Sequence, residues 1–111
     1  MDISVPIARC RGFQWDETNL PSVGLLKGVS PAECEQVFFN CPLFVEGEER
    51  DPDARILFSV LGRTDAGRLL GIAFELSGEL IRVISAHDMS GRERKAFSHE
   101  AEEDSEIQVR G

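Results

Sequence analysis

The chain has 111 residues, 41% of them hydrophobic and 29% charged, with a formal net charge of −8. That length suits a single domain around one modest core and excludes a catalytic domain joined to a regulatory one. No apolar run approaches the roughly 18 residues of a membrane span, and Met1–Cys10 lacks the basic start and apolar stretch of a signal peptide.

Three cysteines (Cys10, Cys34 and Cys41) show no paired metal spacing and fit a reducing, cytoplasmic compartment. Residues 99–111 carry five acids and one base, while the other 98 residues carry 15 acids and 11 bases. Nucleic-acid binders ordinarily show a basic excess, because phosphate contacts supply much of their affinity. Any such role here has to rest on a local cluster. The expected organisation is one domain over residues 1–98 followed by an acidic tail over 99–111.

In chain order, Gly12–Asp16 reads as a short strand. Asp16 or Asn19 then caps a short, irregular helix weakened by Pro21 and Gly24. Ser30-Pro31-Ala32-Glu33 is a capping box with proline at the first helical position. Cys34, Val37, Phe38 and Cys41 follow at i, i+3, i+4 and i+7, one apolar face that would bury both cysteines, and Asn40 and Pro42 end the helix. Leu43–Glu46 is a strand candidate, with an acidic loop over Glu46–Asp53.

The period then becomes two, at Ile56, Phe58 and Val60, at Leu70, Ile72, Phe74 and Leu76, and at Ile81, Val83 and Ser85. Links as short as Thr64–Gly67 and Ser77-Gly78 join antiparallel neighbours, since a parallel crossover needs a dozen or more residues. Ser90-Gly91-Arg92-Glu93 is a second capping box that opens a last helix. The expected fold class is therefore α+β: short N-terminal helices, a three- to four-stranded antiparallel meander and a C-terminal helix.

Five stretches carry a resemblance over about residues 13–97. They are Phe13-x-Trp15-Asp16; Gly28-Val29-Ser30 with the helix ending Val37-Phe38; Arg55 opening a strand that ends Gly62-Arg63; Phe74-Glu75 with Ile81-Arg82-Val83-Ile84-Ser85-Ala86; and Glu93-Arg94. In order and spacing they resemble the BrnT family of small toxins from bacterial toxin–antitoxin pairs. The resemblance implies a RelE-like ribonuclease fold, RNA cleavage without a cofactor, and neutralisation by a ribbon-helix-helix antitoxin. It also implies a homodimer or a toxin–antitoxin heterotetramer.

The sequence departs from the family where basic and polar groups usually stand. The matching positions read Asn19, Val23, Leu26, Lys27 and Gly28 in place of the usual Lys, Asn and Lys-His-Gly. His87 follows Ser85-Ala86 where the family has arginine, and Phe97 replaces a tyrosine.

Such cleavage uses the ribose 2′-hydroxyl as nucleophile, a base to take its proton, and fixed cations against the charge that develops on phosphorus. Arginine suits the cation role because its planar fork matches phosphate oxygens. The catalytic candidates are Arg63 and Arg82 as phosphate clamps and His87 as the proton-transfer group, a role imidazole commonly takes. Strand ends in a meander can bring the three together. Lys27, Arg55, Arg92 and Arg94 are the RNA-binding candidates, within a section from Arg55 to Lys95 that has seven bases and five acids.

Each candidate has an ordinary structural alternative. Arg82 could face solvent between Ile81 and Val83, His87 could cap the last helix, and Arg92-Glu93-Arg94-Lys95 could be a solvated helix face. His99 with Glu100 and Glu102 lacks the rigid spacing of a metal site, and Trp15 reads as core. A partner-binding module that keeps the fold without catalysis is the second functional expectation, and an unrelated role in mobile DNA is a third.

Overall fold

The computed structural model describes residues 7–20, 28–50 and 56–99, with residues 46–50 described by backbone alone. Among these residues the expected Ser30 box closes as drawn. The Ser30 hydroxyl accepts from the Glu33 backbone N–H at 3.2 Å, and the Glu33 carboxylate accepts from the Ser30 N–H at 3.0 Å. These bonds satisfy donors that the first helical turn would leave open. The helix they start, α1 (Pro31–Phe39), ends at Asn40.

Cys34 and Val37 are fully buried, but Cys41 lies beyond the helix end, exposed, with a positive φ of 49°. The expectation that both cysteines belong to the core therefore holds only for Cys34. The apolar period ran one turn past the point where the chain leaves the helix.

Five strands form one sheet in the order β1-β5-β4-β3-β2. They are β1 (Gly12–Phe13), β2 (Leu43–Arg50), β3 (Ile56–Arg63), β4 (Leu69–Ser77) and β5 (Leu80–Asp88). Strands β2 to β5 are the expected antiparallel meander, and β1 adds a parallel edge by pairing Gly12 with Leu80 and Phe13 with Ile81. The sheet is thus mixed rather than wholly antiparallel. Strand β2 also runs through part of the expected acidic loop, to Arg50. A last helix, α2, spans residues 91–99.

The two helices cover opposite faces of the sheet. On one face Phe58, Val60, Leu70, Ile72, Phe74, Ile81, Val83 and Ala86 pack with Val29, Cys34 and Val37. Full burial of side chains such as Phe74 and Ile72 contributes roughly 1.5–3 kcal/mol each, which makes this the principal core. Gly62 sets how closely α1 approaches, because a Cβ there would stand 2.7 Å from Val37 Cγ1. On the other face Leu61, Met89 and Phe97, with Leu43 and Leu69, form a smaller cluster under α2.

One irregularity decides which way the end of β5 points. Ala73 pairs with Ser85, but Phe74 pairs with Val83, so Ile84 is an extra residue in the ladder. Such a bulge reverses the inward–outward phase of the residues beyond it. Ile81 and Val83 face the principal core, and after the bulge Ala86, not Ser85, takes the inward position. His87 is consequently turned onto the α2 face, opposite Gly71. Without the bulge an imidazole would point into the apolar core.

Candidate functional site

Arg82 is anchored near the start of β5. Its guanidinium lies 2.7 Å from Asp16 and 3.3 Å from Glu75, the residue it pairs with across the ladder, and it also donates to the Thr18 hydroxyl. Only 13% of the side chain is exposed. The Thr18 and Arg82 hydrogen bonds hold the Asp16 carboxyl well below the usual carboxylate range.

Asn19, itself buried, fastens the same segment. Its amide donates to the carbonyls of Gln14 at 2.9 Å and Val83 at 3.0 Å, while its Oδ1 accepts from the Asp16 N–H. Arg82 therefore ties residues 14–19 to the sheet, with two carboxylates already answering its charge. Trp15, expected in the core, is partly buried and donates its indole N–H to Glu35 at 2.8 Å.

His87 sits near the other end of β5. It lies inside the strand rather than beyond it, four ladder positions from the Arg82–Glu75 pair, or roughly 13 Å along the sheet at strand rise. Its Nε2 is 2.9 Å from Glu93 Oε1. Donation of Nε2–H to that carboxylate leaves Nδ1 as the acceptor.

Glu93 is held in turn by the second capping box. The Ser90 N–H donates to its carboxylate at 2.8 Å, and the Glu93 N–H donates to the Ser90 hydroxyl at 3.2 Å. Burial pushes the Glu93 pKa up, but hydrogen bonds from Ser90 and His87 outweigh it and the net shift is downward. Gly71 provides the space for this pair. A Cβ at that position would stand 2.7 Å from His87 Nε2 and 3.0 Å from the Glu93 carboxylate.

Arg63 is on the same face and at the same end as His87. In the ladder Leu61, Gly71 and His87 lie in one row, and Arg63 is two residues further along β3. Strand spacing and rise put the two residues roughly 12 Å apart. The Arg63 guanidinium stands 5.6 Å from the centre of the Phe97 ring, and the residue borders an open cleft of about 390 Å³ with Asn40, Cys41, Thr64 and Asp65.

Arg92 and Arg94 lie on α2, both exposed; Arg94 also donates to the Met89 carbonyl at 3.3 Å. The structure thus places Arg63, His87 and the basic side chains of α2 at one end of one face, and Arg82 apart from them. Lys27 and Arg55 lie outside the described residues.

Three participants escaped the sequence reading. Glu93 was visible there as a helix cap and as part of the Glu93-Arg94 stretch, with no role in the site, and Gly71 only as a glycine in an alternating strand, a pattern that often marks close approach. Arg68 is the third. It bonds Asp88 at 2.8 Å, Glu33 at 3.2 Å and the Gly28 carbonyl at 2.8 Å. That joins the start of α1 to the neighbouring ends of β4 and β5, and the Asp88 and Glu33 hydrogen bonds raise the Arg68 pKa further. The Cys34 thiol, pushed up to about 12 by burial, is unsuited to nucleophilic chemistry. No group of three or more His, Cys, Asp or Glu side chains among the described residues is placed to hold a metal ion.

No protein-family model matches the chain, and no curated protein matches it significantly.

Proposed function

We propose that the protein is a BrnT-like toxin component of a toxin–antitoxin pair that cleaves RNA without a metal, with its reacting centre at the His87 end of β5. The observation that carries this reading is the His87–Glu93 pair, turned onto the α2 face by the Ile84 bulge and seated over Gly71. Bulges recur next to active sites because they re-aim side chains. A carboxylate that fixes the tautomer of an exposed imidazole is a general-base arrangement. The α+β order, with an antiparallel meander between helices, supports the RelE-like part of the proposal.

In this reading Nδ1 of His87 takes the proton of a ribose 2′-hydroxyl. The freed oxygen attacks the adjacent phosphorus, the bond to the leaving 5′-oxygen breaks, and that oxygen takes a proton from water. The products are a 2′,3′-cyclic phosphate and a 5′-hydroxyl. Glu93 stabilises the imidazolium, while Arg63 and the basic residues of α2 receive the phosphate charge. Arg82 leaves the list of phosphate clamps and becomes a fastening residue.

The test is RNA end sequencing after induction in a bacterial host, with His87→Ala and Glu93→Gln at matched soluble levels. New 2′,3′-cyclic phosphate ends are expected with the wild type and lost in both variants. Wild-type cells without such ends would overturn the reading.

A second reading, a partner-binding module that keeps the fold without catalysis, is favoured by one observation. Asp16 and Glu75 already neutralise Arg82, and the chain carries a net charge of −8. Copurification with a ribbon-helix-helix partner, without RNA cleavage, would support it.

A further inference from the structure

Beyond Arg63 the chain turns through Thr64–Gly67 into β4, and the end of α1 grips that turn from the side. Asn40 donates its amide to the Arg63 carbonyl at 3.1 Å and to the Asp65 carboxylate at 2.9 Å. Gln36, one helical turn earlier, accepts from the Asp65 N–H at 2.9 Å. Within the turn the Thr64 N–H donates to the Arg68 carbonyl at 2.9 Å, and the Thr64 hydroxyl accepts from the Arg68 N–H at 3.0 Å.

Thr64 is buried, whereas Arg63 and Asp65 on either side of it are exposed. A turn aspartate ordinarily bonds the backbone N–H two residues on. Here the Gly67 N–H goes to the Thr64 carbonyl, and the Asp65 carboxylate is held by Asn40 instead. It therefore stands in a fixed position beside the open cleft of about 390 Å³ that Asn40, Cys41, Arg63 and Thr64 also border. The Asn40 bond uses one of roughly four lone-pair sites on the carboxylate, so both oxygens remain able to accept.

We infer that this cleft takes the base of one RNA nucleotide and selects guanine, with Asp65 reading its Watson–Crick edge and Arg63 receiving that nucleotide's phosphate. The inference rests on the RNA-cleaving reading above. An ionised carboxylate only accepts hydrogen bonds. Guanine is the one base of the four with two adjacent donors on that edge, N1–H and the 2-amino group. Adenine and cytosine set an acceptor beside their amino group, and uracil flanks its single N–H with two carbonyls. Each of these would turn a lone pair toward Asp65.

Unpaired RNA bases are read along their exposed edges in this way. Arg63, two residues before Asp65, offsets the repulsion between the carboxylate and the RNA backbone, since its planar fork suits phosphate oxygens. A turn already fixed by Asn40 and Gln36 loses little further freedom when the base enters. Arg63 stands roughly 12 Å from His87 at strand spacing, so the selected guanine belongs to a nucleotide removed from the cleaved bond.

The experiment measures the affinity of the full chain for three 2′-O-methyl RNAs, which cannot be cleaved. Each is a 12-nucleotide run of uridine with one central guanosine, inosine or adenosine. Inosine keeps N1–H and lacks the 2-amino group. Guanosine RNA should bind roughly five- to tenfold more tightly than adenosine RNA, with inosine RNA between them. In Asp65→Asn, whose amide replaces an acceptor by a donor, the three affinities should fall within about twofold of one another. Guanosine RNA should also slow alkylation of the exposed Cys41 thiol, followed by peptide mass spectrometry, more than adenosine RNA does at equal occupancy.

Equal affinities in the wild type would overturn the inference, leave Asp65 a turn residue and leave the RNA reading intact. A guanosine preference that survives in Asp65→Asn, or that comes without added protection of Cys41, would place the base elsewhere and overturn the assignment. Failure of all three RNAs to bind would overturn the RNA reading and the inference with it.

Discussion

The two ends of β5 carry basic side chains that look equivalent in sequence and are opposite in environment. At the start, Arg82 is 13% exposed, answered by Asp16 and Glu75, and employed in holding residues 14–19 to the sheet. Toward the far end, His87 has a side chain 53% exposed, a single carboxylate partner, and a glycine beneath it in place of a side chain. Residue type alone does not assign a role. A cation whose charge is already met by two carboxylates is a poor phosphate ligand, whereas an imidazole oriented by one carboxylate, with a nitrogen left to accept a proton, is equipped for transfer.

The sharpest way to break this comparison is to remove each end in turn. Arg82→Ala leaves two carboxylates facing each other across a partly buried gap. Loss of one partner from a buried pair costs roughly 3–5 kcal/mol, and the 41% exposure of the Asp16 side chain brings the expectation to about 2 kcal/mol. Urea denaturation checks it, and an unchanged midpoint would deny the fastening role.

Gly71→Ala should do the reverse. The new methyl meets only the far ends of His87 and Glu93, so stability should stay within about 1 kcal/mol of wild type. The His87–Glu93 hydrogen bond would be displaced, and with it RNA cleavage. A variant that unfolds, or that cleaves normally, would contradict the geometry.

Ser90→Ala removes the cap that helps hold Glu93 and is expected to cost about 1 kcal/mol. A larger loss of activity than of stability would show that the cap also serves the pair.

The smallest effect is a pH effect. Asp16 has a folded pKa below its ordinary value of 3.8. Its contribution is fully present above that value and is lost as pH falls through the folded pKa. Wild type and Asp16→Asn should therefore converge in stability as the solution is acidified below about pH 4. Curves that stay parallel down to pH 2 would contradict the assignment.

Much of this architecture was legible in the sequence, and the failures have physical causes. Both Ser-x-x-Glu boxes announced their helices, because a capping box is a local interaction read over four residues. The alternation of Phe58, Val60, Ile72, Phe74, Ile81 and Val83 announced the meander for the same reason. The short strand expected over Gly12–Asp16 is present as Gly12–Phe13, but its parallel pairing with β5 leaves no local signal, because only two residues pair and the partner lies far along the chain. The Ile84 bulge hides in a run of β-formers and shows itself only when β4 fixes the register.

The expected site fails at Arg82 for a separate reason, its distance from His87 along one strand. Strand ends drawn as converging placed Arg63, Arg82 and His87 together, but the sheet keeps Arg82 roughly 13 Å from His87. Glu93, read as a cap, is the partner the imidazole required. One residue serving both purposes leaves a single signal in the sequence.

The most direct measurement is growth after tightly controlled induction of wild type, His87→Asn and Arg82→Lys at matched soluble protein. The account predicts arrest by wild type, normal growth with His87→Asn, and arrest retained with Arg82→Lys, which keeps a cation near Asp16 and Glu75. Arrest by His87→Asn with relief by Arg82→Lys would move the centre to the other end of β5 and contradict the account.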